Sequence, residues 1–127
     1  MSACHLLRKF IIVCFCFFML TVVCGQRAFA ISPEQEKRVN ALLELLGKEN
    51  STVFIRNGKE YPAEDAVSHL RLKFGKTKKR LETAEQFIDK VGSSSSVSGK
   101  PYLIRKPGEE AQPAGPYLHL LLRQADR

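Results

Sequence analysis

The chain has 127 residues and a formal charge of +7, from 20 Lys and Arg against 13 Asp and Glu. That length suits one domain, and the composition excludes collagen-like, coiled-coil and disulfide-scaffold proteins, together with enzymes built from separate cofactor and substrate domains. The 44% hydrophobic content is ordinary but unevenly placed, because residues 1–30 hold all four cysteines, five of the eight phenylalanines, three basic residues and no acid.

The first thirty residues read as a cleaved signal peptide. Arg8 and Lys9 form a positive start, and Phe10 to Cys24 is a 15-residue run that is apolar except for one Thr. Ala28-Phe29-Ala30 then supplies the small-x-small pattern that signal peptidase accepts. The run is short for a stable transmembrane anchor, which needs roughly 17–25 apolar residues. Val23 before Cys24 stands where a lipoprotein signal carries a small residue. Export would remove Cys4, Cys14, Cys16 and Cys24, leaving residues 31–127 without thiol, disulfide or Cys metal ligand. The expected address is the periplasm.

Along residues 31–127, Ser32-Pro33-Glu34-Gln35 predicts a capped helix start. Val39, Leu42, Leu43 and Leu46 form its apolar stripe, and Gly47 and Asn50 end it. Thr52 to Arg56 reads as a strand. Asn57-Gly58 is the favoured pair for a type I′ turn, and Lys59-Glu60-Tyr61 returns as a second strand. Pro62 opens a helix with Ala66, Val67, Leu70 and Phe74 inward and Gly75 as its stop. Thr83 to Gln86 offers a second capping box for a short helix that ends at Gly92, while the state of residues 76–83 stays open. Ser93 to Gly99 is a polar loop, Tyr102 to Arg105 a third strand, Pro107 to Pro116 an exposed loop and Tyr117 to Gln124 a closing helix. The order α-β-β-α-α-β-α predicts a small single α+β domain, with about four helices on a short antiparallel sheet of about three strands.

No complete catalytic set emerges. Gly75-Lys76-Thr77 resembles the tail of a phosphate-binding loop, but Leu70 stands where the first glycine is required. The serine run has Val97 where a Ser-x-x-Lys dyad ending at Lys100 needs serine, and it lacks a Gly-x-Ser-x-Gly elbow. His69 and His119 have no carboxylate partners at metal-ligand spacing, so neither metal nor cofactor is expected. Lys76, Lys78, Lys79 and Arg80 form a basic patch open to anions. Nucleic acid is not expected, since residues 31–127 hold only six aromatics and no nucleic-acid motif.

Four blocks then stand out: Phe54 to Gly58, Asp65 to Lys73, Thr83 to Val91 and Ser95 to Tyr102. In this order they resemble the YfeK-like family of small exported bacterial proteins, a domain of unknown function, from Ser32 to Leu122. The resemblance implies a bacterial source and a periplasmic address, and it carries over no catalytic or ligand-binding residue. The expected function is a non-enzymatic binding or accessory module. The polar members of the blocks, Arg56, Asn57, His69, Lys73, Ser95, Ser98 and Tyr102, are its candidate binding residues. Its partner class is a periplasmic protein or an anionic envelope component. The alternatives are a small hydrolase or transferase using a hydroxyl of the Ser94–Ser98 loop with His69 as base, and an anion binder acting through the basic patch.

Overall fold

A computed structural model describes residues 30–127, and the segment read as a signal peptide, with its cysteines, lies outside the described residues. Helix α1 (Pro33–Gly47) leads into strands β1 (Val53–Arg56) and β2 (Lys59–Pro62), then helix α2 (Ala63–Thr77). A 3₁₀ turn at Lys78–Arg80 precedes the short helix α3 (Ala84–Phe87), which runs into a π-turn at Ile88–Gly92. Strands β3 (Leu103–Arg105) and β4 (Gln112–Pro113) and helix α4 (Ala114–Ala125) complete the chain. The sheet has the order β2-β1-β3-β4, with every neighbouring pair antiparallel.

Local chemistry accounts for most of these boundaries. Ser32 Oγ accepts from Gln35 N, so the first helix is capped as its sequence predicts. The reciprocal half of that capping box does not form. Gln35 Oε1 accepts instead from Ala84 N at 3.0 Å, meeting an orphan donor at the start of α3 and tying two helix N-termini together. Asn57 and Gly58 have φ of 51° and 79°, the positive values that a type I′ hairpin demands.

Three sequence expectations are corrected. Gly75 does not stop α2, because the chain there stays helical and reaches Thr77, whose hydroxyl donates back to Lys73 O. The sheet gains a fourth strand inside the expected loop 107–116. Its Gln112 and Pro113 pair with Ile104 and Leu103, and Ala114 N donates to Tyr102 O at 2.8 Å. Helix α4 starts at Ala114 rather than Tyr117, since Pro116 falls in the first turn where its missing N–H is harmless.

Strand alternation puts Phe54, Arg56, Tyr61 and Ile104 on the inner sheet face, opposite Val53, Ile55 and Leu103. Helices α2 and α4 touch the sheet, and α1 lies across both of them. The core between them holds Val39, Leu42, Leu43, Leu70, Phe87, Ile88 and Leu118, with Phe74 meeting Phe87 edge-on at 5.2 Å. Outside the core, Arg38 bonds Glu85 at 2.6 Å and Asp126 at 2.7 Å, which joins α1, α3 and the chain end. The guanidinium holds both carboxyls below their ordinary values of 4.5 and 3.8.

Two glycines make opposite predictions. Gly75 is exposed in a helix with no atom near a built Cβ, so Gly75→Ala should stabilise the fold by about 0.5–1 kcal/mol in urea unfolding. A Cβ at Gly115 would lie 2.8 Å from Ser93 Oγ, which is held by its bond to Ile88 O. Gly115→Ala should therefore destabilise by about 1–3 kcal/mol.

The Arg38 cluster makes a prediction about pH. Carboxyls with depressed native pKa stabilise the fold above their unfolded values, and that contribution is lost as the pH falls below them. Arg38→Met should lower stability at neutral pH by about 1 kcal/mol, the discount reflecting partly exposed partners. The gap from the parent protein should close as the pH falls below about 4 in the same urea assay.

Candidate functional site

The hairpin, α2 and the 93–99 loop meet around one cleft. Strand β1 ends at Arg56 on the inner face, and the type I′ turn sets Asn57 just beyond it. His69 and Lys73 lie one turn apart on α2 and so share a side of the helix. The loop is closed by Ser95 N donating to Lys100 O at 2.9 Å, Tyr102 N to Ser93 O at 2.9 Å, and a bridge between Ser94 and Pro101. These pairings return the chain to place Tyr102, 5% exposed, beside β1.

Two cavities share Arg56, His69 and Tyr102 as a common wall. The inner one, of about 290 Å³, is lined also by Phe54, Ile55, Tyr61, Asp65, Ala66, Ser68 and Leu70. The outer one, of about 460 Å³, is lined also by Asn57, Lys73, Lys76, Ser95 and Val97. Six of the seven residues singled out in sequence thus border the outer cavity. The seventh, Ser98, does not line it, but its hydroxyl donates to Asn57 Oδ1 at 2.6 Å and pins the loop to the hairpin turn.

The hydrogen bonds assign different work to these groups. Arg56 Nη1 lies 2.9 Å from His69 Nε2 and 3.4 Å from its Nδ1, within reach of both ring nitrogens. A guanidinium can only donate, so the ring nitrogen that it bonds is an unprotonated one. Desolvation, then the positive charges of Arg56 and Lys73, hold the His69 pKa below 6.5. Lys73 Nζ donates to Val91 O at 2.8 Å, Ser94 O at 3.2 Å and Tyr102 Oη at 3.1 Å, which uses all three of its protons. Ser95 Oγ, within a nearly buried residue, faces the loop amides of Val97 and Ser98. Among the described residues no loop serine bonds His69, and no acid forms an ion pair with Arg56, Lys73 or Lys76.

The residues of the basic patch are engaged differently. Lys76 borders the outer cavity, Lys78 pairs with Glu36 at 3.1 Å, and Lys79 and Arg80 are exposed. His119 lies elsewhere, bonded to Asp89 at 2.7 Å. Among the described residues no group of three or more His, Cys, Asp or Glu could hold a metal ion. No helix of the described residues is long and apolar enough to cross a membrane.

The inner cavity went unforeseen. Its signal in the sequence is slight: the small Ala66 on the inward face of α2, and Tyr61 opposite Phe54 in the hairpin register.

Comparison with known proteins places the chain. A family of unknown function, DUF5329, matches residues 33–126. The chain belongs to that family. A similar protein, the uncharacterized protein YfeK of Salmonella typhimurium, is 54% identical over 72 residues, which cover 57% of this chain and 60% of that protein. The chain therefore spans less than two thirds of this relative's length. No solved structure matches the chain.

The cleft predicts a measurable titration. His69 should titrate below 6.5 in a proton NMR titration of its ring, and Arg56→Ala should move the midpoint upward by removing the second of the three causes. An unmoved midpoint would show that Arg56 and His69 are not coupled.

Proposed function

We propose that this family member is exported to the periplasm and serves there as a non-catalytic binding module, with its ligand site in the cleft around Arg56, His69 and Tyr102. The observation that carries this reading is convergence. Arg56 and Asn57 from the hairpin, His69 and Lys73 from α2, and Ser95 and Tyr102 from the loop region border one hollow, although they are scattered over the sequence. Concave sites lined by apolar walls and a few placed polar groups are where small ligands bind.

The same contacts argue against hydrolysis. A general base needs a free lone pair within reach of the hydroxyl it deprotonates. Among the described residues no serine of the 94–98 loop bonds His69, Ser98 donates to Asn57, and the His69 ring faces the Arg56 guanidinium.

Support for export comes from the fold as well as from the leader-like composition. Ile31 is buried at 8% exposure and its N–H donates to Lys78 O at 3.3 Å. A cut after Ala30 would leave the core intact, and the new α-amino group would still donate to that carbonyl.

Two measurements test the reading. Protein recovered from the periplasm should have a mature N-terminus at Ile31 by intact-mass spectrometry, whereas unprocessed chain in the cytosol would refute export. Addition of low-molecular-weight periplasmic extract should shift amide NMR signals around Arg56, His69 and Tyr102, and Arg56→Ala should abolish those shifts. Turnover of simple esters that disappears in His69→Ala would establish catalysis and overturn the binding reading.

A further inference from the structure

The two cavities differ in the side chains that they carry on either side of their common wall. The inner one is walled by Phe54, Tyr61, Ala66, Leu70 and Tyr102, an apolar hollow beside the core. The outer one carries the charges of Arg56, Lys73 and Lys76, and no acidic residue lines it. Asp65, an exposed residue, also lines the inner cavity and forms no ion pair with Arg56 among the described residues. A hollow that favours apolar groups therefore opens beside a mouth that favours anions.

The donors at that mouth narrow the ligand. Lys73 has no proton left to offer, so it contributes charge only. Arg56 bonds His69 through Nη1, while its Nη2 and Nε have no hydrogen-bond partner among the described residues. Two N–H groups on one edge of a guanidinium match the two oxygens of a carboxylate. The side chain of Arg56 also lies over the Tyr61 ring, with Cζ 5.7 Å from its centroid, which holds the guanidinium against the apolar wall. Val97, 98% exposed on the loop beside the mouth, adds an apolar surface.

Resting on the binding-module reading above, we infer that the cleft takes a small carboxylic acid with an apolar tail, the tail lying among Phe54, Tyr61, Ala66 and Leu70 and the carboxylate bridging Nη2 and Nε of Arg56. Lys73 and Lys76 strengthen the attraction through their field. The tail supplies the driving force of apolar surface leaving water, and the guanidinium sets which end enters.

Calorimetric titration of the protein as isolated from expressing cells, at neutral pH and low salt, tests this with four probes: octanoate, octanol, octyltrimethylammonium and acetate. Octanoate should bind about tenfold or more tightly than octanol, since a hydrogen-bonded charge is worth that factor, and more tightly than acetate, which lacks the tail, and the ammonium should not bind. Arg56→Met should reduce octanoate to the affinity of octanol, with the folded state verified by circular dichroism. Lys76→Glu, at an exposed residue, should weaken octanoate several-fold and flatten its salt dependence without touching the fold. Equal binding of octanoate and octanol, or tight binding of the ammonium, would overturn the inference, as would an Arg56→Met variant that keeps the preference for octanoate. If octanoate fails while periplasmic extract still shifts the cleft signals, the ligand chemistry is wrong and the binding site stands. If both fail, the site itself falls.

Discussion

A single ammonium group organises the cleft end of this molecule. Lys73 reaches from α2 to a carbonyl at the end of the π-turn, a carbonyl at the start of the 93–99 loop and the hydroxyl of Tyr102. A half-buried charge is tolerated only where its donors are met, so each of these three groups is held where the ammonium needs it. Tyr102 thereby becomes a fixed wall of both cavities, and the loop is fastened at its root. The same charge adds to burial and to the charge of Arg56 in lowering the His69 pKa.

The distribution of ion pairs separates structural from available charge. Arg38, Lys78 and Arg105 each meet a carboxylate on a different segment, which fastens helices, strands and the chain end. Around the cleft the pattern reverses, and positive side chains gather without carboxylate partners. Like charges held close repel, and a fold keeps such an arrangement at a cost in stability. Here the cost is moderated by Lys73, whose three acceptors carry partial negative charge, and by the imidazole beside Arg56, whose lowered pKa disfavours a further positive charge.

Much of the architecture was legible from residue patterns. The stripe Val39, Leu42, Leu43, Leu46 is buried as its spacing demands, and Asn57-Gly58 makes the turn that its left-handed preference dictates. Strand β4 was not legible, because two residues including a proline carry no alternation and depend on β3 for their pairing. Gly75 misled for a related reason: glycine ends a helix where the backbone turns left-handed, and composition does not say where that happens. In the cleft, the polar residues could be named but not their commitments. A sequence shows that Lys73 is charged; it does not show that every proton on it already has an acceptor. Nor can it show a hollow, which is a place where Ala66 leaves space that a larger side chain would fill.

The sheet is only four strands wide, and both of its outer strands contain proline. Pro62 ends β2 on one side, and Pro113 ends β4 on the other. Neither imide nitrogen can extend the ladder, and each outer strand turns directly into a helix. A neighbouring chain that tried to add itself at either border would find a missing donor and a steric block. Even crowded together at high concentration, copies of this domain would resist stacking edge to edge into fibrils.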